Sequence, residues 1–402
     1  TPCRLVADPS RPDRHGRSLN GCQVKGSGFV GEVRPVLLQV RCLPVLLQGD
    51  LSSFFPSFGL IDRDKSLRRM YISRSGYGIK RDLTMEDVTE VVQSRMGFGD
   101  KSAAPLAVAG RIKVALMVEA GKGNIEESLR PEIVRSLKKN SFVDDIFAGV
   151  EHGGDLEPLK KGLEEAVDLG SFTVKGWHAS GEEGDSKVLG YRWQKEEDTF
   201  GARWKIHLGE VRRGVKCGIV LTLENYMEEI KGIFSKKMLL SMVAQLYDPI
   251  GMFTPLVLNL RNLLSTITQE TKGQLDEDAD IPDLYKGQLT WMTKEILLAA
   301  QDEFPRSVIP NFVGGKRPQA LLVGFCDGST LAYAASAYLV FKKEDGGHEA
   351  NLLFSSAKIL GSRRFTVPRT ELLSAELLVK MLRTVEDAIE DKVEVTERLY
   401  LS

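Results

Sequence analysis

At 402 residues, with 42% hydrophobic and 27% charged residues, the chain has the composition of a soluble globular protein and the length for two or three domains. A net charge of −1 excludes nucleic-acid binding by overall basicity, so any such surface must be a local patch. Five cysteines without a CxxC pair argue against a zinc site and for a reducing compartment, and no uninterrupted apolar run reaches membrane-spanning length.

The opening "TPCRLVADPSRPDRHGRSLN" is polar and basic, unlike a signal peptide. "LPVLLQGDLSSFF", Leu43 to Phe55, reads as a strand ending in a loop, with Asp50 at the strand's end. "RDKSLRR" follows, a candidate basic patch of Arg63, Lys65, Arg68 and Arg69. "SFVDDIFAGV" then sets Asp144 and Asp145 inside an apolar run, where ionised carboxylates are costly to bury. Two readings fit. One is a surface hairpin whose turn reads Asp-Asp; the other is a carboxylate pair raised on a tight turn to hold divalent metal.

"LEPLKKGLEEAVDLG" places Leu156, Leu159, Leu163 and Val167 on one helical face, with Gly170 as the stop. "FTVKGW" and "KVLGYRWQ" read as short strands, which completes an α/β unit up to about Trp193. From about Phe200 to Arg317 the chain reads as helical and irregular, with "QLDEDADIPD" as an exposed acidic connection. "QALLVGFCDGS", "LAYAASAYLVFKK" and "ANLLFSSAKI" then read as three strands, the second turning at "EDGG". A second basic stretch, "GSRRFTVPR" with Arg363, Arg364 and Arg369, precedes a helix opened by Glu371. Its inner face carries Leu378, Met381, Leu382, Val385 and Ile389, and "ERLYLS" begins a fourth strand.

A two-metal phosphoryl-transfer site needs a third carboxylate from another strand, and Asp50 is so placed. In order and spacing, "RLVADPS…SLN", "GDLSSFF", "MGFGDKSAAP", "FVDD", "KVLGYRW", "LLSMVAQLYDPIGMFTP" and "GFCDGSTLAYAASAY…VPRTEL" resemble the pol region of BEL/Pao-type LTR retrotransposons over essentially the whole chain. Ala104 stands before Pro105 where reverse transcriptases more often have Ser-Pro, in a block one residue longer. Phe142 replaces a tyrosine, and Asp327-Gly328 replaces a more usual Asp-Ala.

The resemblance implies an α/β (α+β) chain: reverse-transcriptase fingers and palm over residues 1–199, a thumb- or connection-like region over 200–317, and a C-terminally truncated ribonuclease H-like domain over 318–402. It implies an RNA/DNA-templated DNA polymerase that uses Mg²⁺, with Mn²⁺ as the substitute. Asp50, Asp144 and Asp145 would hold two metal ions for nucleotidyl transfer, and Asp327 and Glu371 would hold those of the ribonuclease H-like segment. Arg4, Phe55, Phe98 and Gly99 would meet the nucleotide, Phe55 as the gate against a 2′-hydroxyl. For Glu371 alone, complementing a helix dipole from the first turn is an equally sound reading.

The implied partners are an RNA or DNA template-primer and deoxynucleoside triphosphates, with no membrane and no oligomeric state implied. The location would be cytoplasmic, with virus-like particles or nuclear access. Ribonuclease H cleavage is expected to be absent, because the family's next carboxylate falls beyond Ser402. The chain reads as part of a polyprotein, with no protease or integrase features of its own. The alternative is a decayed or domesticated element that binds nucleic acid without catalysis.

Overall fold

The computed structural model describes residues 8–26, 31–73, 87–209, 211–212, 215–216, 218–271, 275–315, 317–361 and 365–402. The architecture is mixed α/β, with helices and several sheets. The chain divides into two compact units: Thr1–Glu32, Leu47–Ala148 and Asp155–Trp177 form the first, and Val33–Leu46, Gly149–Gly154 and His178–Ser402 the second. Among the described residues no helix is long and apolar enough to cross a membrane.

The first unit is built on a four-stranded sheet in the order Ser141–Phe142, Asp145–Val150, Val45–Leu51, Val174–Ala179. Leu47, Leu51, Ile146 and Phe147 are buried in it, as an apolar run in a central strand requires. Helices Ala103–Glu119, Arg130–Lys138 and Glu157–Asp168 pack on one another. The first is apolar round most of its circumference and buries Ala107, Val108, Val114, Ala115 and Val118. In the third, Leu159, Leu163 and Val167 are buried, Leu156 is half-buried at the N-cap, and the helix ends at Asp168, just before Gly170, although Gly170 is not the residue in the left-handed conformation. Ser171 takes that conformation (φ 56), while Gly170 is small because a Cβ there would meet the Phe172 ring at 2.7 Å.

In the second unit "KVLGYRWQ" is two strands rather than one. Asp185–Val188 and Tyr191–Gln194 pair antiparallel, and the turn residues Leu189 and Gly190 both have positive φ (45° and 112°), as a two-residue type I′ hairpin demands. The sheet continues through Thr199–Ala202 to Glu303–Pro305, so the segment after Phe200 opens in strand before turning helical. Two buried arginines brace this unit. Arg306 donates to the carbonyls of Val40 (2.7 Å), Leu43 (2.7 Å) and Pro44 (2.9 Å) and forks onto both Asp198 oxygens (2.7 and 2.6 Å). Arg41 donates to the carbonyls of Arg306, Pro305, Leu352 and Leu353, and burial brings it down to about 10.

The C-terminal sheet runs His348–Ile359, Ala332–Lys342, Gln319–Gly328, Glu394–Leu401. The first three strands are antiparallel, and the last lies parallel beside Gln319–Gly328, pairing Phe325 with Leu401. The helix Val367–Ile389 covers this sheet, with Leu378, Met381, Leu382, Val385 and Ile389 buried. It starts four residues earlier than the sequence suggests, because Pro368 fits a helix's first positions. Glu371 is therefore outside the first turn, and the reading of it as a dipole partner there does not hold.

Candidate active site

Asp50 is the penultimate residue of Val45–Leu51. Strands Ser141–Phe142 and Asp145–Val150 pair Phe142 with Asp145, leaving Val143 and Asp144 as the two turn residues. Val143 has φ 54 and Asp144 does not, the sign pattern of a type II′ turn, in which glycine is the usual first residue. The next strand over is the Asp50 strand, and the Leu51 amide donates to the Asp144 carbonyl at 3.0 Å. The neighbouring Ser52 amide donates to the Thr173 carbonyl at 2.8 Å, which fixes the strand's end.

All three carboxylates thus stand at one end of one sheet, close enough to act on each other's charge. Burial, then repulsion from Asp144 and Asp50, pushes Asp145 up to about 7, against a hydrogen bond from Gln48. Burial likewise raises Asp144, with Asp50 adding to the rise and Arg111 opposing it. Arg111, buried on the helix Ala103–Glu119, donates to the Val143 carbonyl at 2.8 Å. Among the described residues no three His, Cys, Asp or Glu side chains are gathered as a finished metal-holding group. The donor set is nevertheless all carboxylate oxygen, which suits a hard divalent cation, and its mutual repulsion is what such a charge would relieve.

Asp50 and Asp144 open onto a cavity of about 700 Å³ whose walls include Phe55, Phe98, Arg95 and Lys175. Phe55 is half-buried and meets Phe98 edge to face, with ring centroids 5.4 Å apart. Its neighbour Phe54 is a core residue at 2% exposure, in contact with Phe58 and Phe172. Gly99 is left-handed (φ 93). Asn20 clamps its loop by donating to the Gly99 carbonyl (2.9 Å) and accepting from the Lys101 amide (2.8 Å). Beneath it, Asp100 is buried against Arg68 and accepts from the Gly97 amide at 3.1 Å.

This pairing removes Arg68 from the candidate basic patch "RDKSLRR". Arg68 is buried on Asp100, while Lys65, Arg63 and Arg69 pair with Asp62, Asp64 and Glu90. Arg369 lies over the Phe365 ring at 4.8 Å. Arg4, Arg363 and Arg364 lie outside the described residues. Asn20, Gln48, Asp100 and Arg111 were missed in the sequence. Only Arg111 left a signal there, as a cation inside an otherwise apolar helical run.

In the second unit, Asp327 is exposed near the end of Gln319–Gly328 and Glu371 is exposed on the covering helix. A Cβ on Gly328 would lie 2.5 Å from the Thr370 carbonyl carbon and 2.7 Å from the Glu371 nitrogen. Strand end and helix thus approach backbone to backbone, with the residue after Asp327 against the Thr370–Glu371 main chain. That approach accounts for Gly328 where an alanine is more usual.

These features describe a mixed α/β chain with a carboxylate-bearing sheet end beside a cavity, and a second sheet-and-helix layer with two more carboxylates. Residues 235–399 match the family model described as Pao retrotransposon-like RNaseH-like domain. No curated protein matches. Among solved structures the chain is similar to the foamy viral protease-reverse transcriptase in three complexes. With RNA/DNA hybrid the identity is 15%, the TM-score 0.47 and the coverage 90% of this chain. For the dRH form with double-stranded DNA the values are 15%, 0.48 and 87%, and for a further double-stranded DNA complex 16%, 0.46 and 90%. The chain spans 40%, 50% and 61% of those chains, in the same order.

Proposed function

We propose that this chain is the reverse transcriptase of a retroelement, an RNA- and DNA-templated DNA polymerase followed by a ribonuclease H-like segment. The observation that carries the reading is the convergence of Asp50, Asp144 and Asp145 on one sheet end, beside a cavity walled by Phe55 and Phe98. Asp50, Asp144 and Asp145 would hold divalent cations, Mg²⁺ or Mn²⁺. Such ions supply charge to activate a primer hydroxyl and to neutralise a triphosphate. The chain's own residues do the rest. Arg111 and the Leu51 amide fix the turn, so that Asp144 and Asp145 keep their positions while charge changes hands. Phe55, braced edge-on by Phe98, fills the space a ribose 2′-hydroxyl would need, and the Lys175 ammonium on the cavity wall is a phosphate contact. Asp327 and Glu371 would serve the ribonuclease H-like segment in the same way.

The test is extension of a primed RNA or DNA template with deoxynucleotides and Mg²⁺, beside Asp145→Asn. Extension by the wild type that falls by at least about a hundredfold in the variant supports the reading. Template binding without extension would favour a retroelement remnant that only binds nucleic acid.

A further inference from the structure

A second feature of the second unit involves none of the five candidate carboxylates, though its cavity shares Gly251, Thr254 and Ser355 with the pocket beside Asp327. Arg34 on the helix Val33–Arg41, Arg261 on Thr254–Glu270 and Lys358 on the strand His348–Ile359 line one small polar cavity of about 100 Å³. No ion pair engages any of the three among the described residues, and all three are exposed. Arg34 is held in place: its Nε donates to the Pro249 carbonyl at 3.0 Å, and its guanidinium lies 5.7 Å from the Phe354 ring centroid. Asp248 is the one carboxylate on the cavity wall, and its oxygens are already engaged within the protein. It accepts from the Tyr191 hydroxyl (2.6 Å) and from the Met252 (3.0 Å) and Phe253 (2.8 Å) amides. The N-terminus of Thr254–Glu270 opens beside the same cavity and adds its partial positive charge.

We propose that this cavity receives one phosphate group of a nucleic-acid backbone. Three cations from distant parts of the chain, with the local carboxylate already satisfied, leave an unbalanced positive field that a tetrahedral oxyanion would neutralise. Size narrows the ligand. Pockets that enclose a whole small molecule run to roughly 300–1,000 Å³, so a cavity near a third of the lower figure takes a phosphate while the sugar and base stay outside. Arg261 and Lys358 at the rim suit a chain of phosphates passing by. The choice of nucleic acid over free phosphate rests on the function proposed above.

The test pairs the wild type with the double substitution Arg261→Gln and Lys358→Gln, which leaves the Arg34 anchor in place. Inorganic phosphate should raise the wild-type melting temperature above a chloride control of equal ionic strength, and should not do so in the variant. Binding of an RNA–DNA hybrid should weaken severalfold in the variant, with a log–log salt dependence shallower by about 0.9 for the one phosphate no longer neutralised. If phosphate acts alike on both proteins and the salt slope is unchanged, the site is overturned. Loss of the phosphate effect with an unchanged slope keeps the oxyanion site and overturns the backbone assignment. A wild type that binds no hybrid yet responds to phosphate also keeps the oxyanion site, and it is the polymerase reading that fails.

Discussion

Arg111 donates a 2.8 Å hydrogen bond to the Val143 carbonyl, so the cation buried in an apolar helix is directed at the turn that carries Asp144. The bond offsets two costs at once. It satisfies a partly buried carbonyl, and it sets a positive charge near a carboxylate that burial destabilises. Arg111→Met keeps most of the volume and removes donor and charge. Stability should drop by about 1–3 kcal/mol in urea unfolding. Primer extension should fall at least tenfold, and Arg111→Lys should restore part of it. Equal stability in wild type and Met variant would show that the turn holds itself.

Val143 is the strained partner in that contact. A β-branched residue at φ 54 costs on the order of 1–3 kcal/mol, and glycine at the same position carries no such penalty. Val143→Gly should therefore leave unfolding stability unchanged or raise it by about 1 kcal/mol. A freer turn places Asp144 less accurately, so extension activity should fall even as stability holds. A clear loss of stability would mean that the valine side chain packs for more than its backbone costs.

The hairpin at Asp144 was legible because an Asp-Asp pair inside an apolar run has few other homes. The strand at Asp50 was legible from its apolar run, and the C-terminal sheet and helix from their periodicities. "KVLGYRWQ" was not, since Leu189 gives no hint of a positive φ and the run has strand composition on both sides of Gly190. Arg68 was misread for a different reason. Its partner Asp100 lies 32 residues away, and only the folded loop shows that its charge is already used. Gly328 is similar: the residue looked like a departure until the Thr370–Glu371 backbone came to rest against it.

Asp145, raised to about 7 against an unfolded value of about 3.9, makes the metal-free protein pH-sensitive in a defined direction. Between those values the folded state keeps a proton that the unfolded chain has lost. Stability therefore falls as pH rises from about 4 to about 7 and is flat beyond. With chelator present, the effect should be at most about 4 kcal/mol and shrink in Asp145→Asn, the remainder coming from Asp144, which burial also raises. Mg²⁺ should restore stability most at the upper end, where the carboxylate is ionised. A chelated wild type that gains stability over this window would contradict the assignment.

Phe54 and Phe55 are adjacent but should behave differently. Phe54 is 2% exposed and in contact with three other rings, so Phe54→Ala should cost about 3–5 kcal/mol. Phe55 is half-buried on the cavity wall, and Phe55→Val should cost less, about 1 kcal/mol. The informative readout is the ratio of ribonucleotide to deoxynucleotide incorporation, which should rise in Phe55→Val. If both activities fall together with stability, Phe55 is a packing residue and the gate lies elsewhere.

Two glycines test whether close backbone approach sets the second carboxylate pair. At Gly328 a Cβ would lie 2.5 Å from the Thr370 carbonyl carbon and 2.7 Å from the Glu371 nitrogen. Both are main-chain atoms, so relief requires the helix Val367–Ile389 to move off the strand end. That helix also buries Leu378, Leu382 and Val385 against the sheet, and it cannot shift without loosening them. Gly328→Ala should therefore cost about 1–3 kcal/mol, the usual range for an overpacked site. Gly287 is the control: it sits inside the helix Asp283–Ala299 with nothing within 4 Å of an added Cβ. Gly287→Ala should stabilise by about 1 kcal/mol, because alanine is the better helix former. Chemical denaturation of the two variants side by side separates a general tolerance of alanine from a specific clash. Equal, small effects at both positions would mean that the strand end and Glu371 are not held together by Gly328.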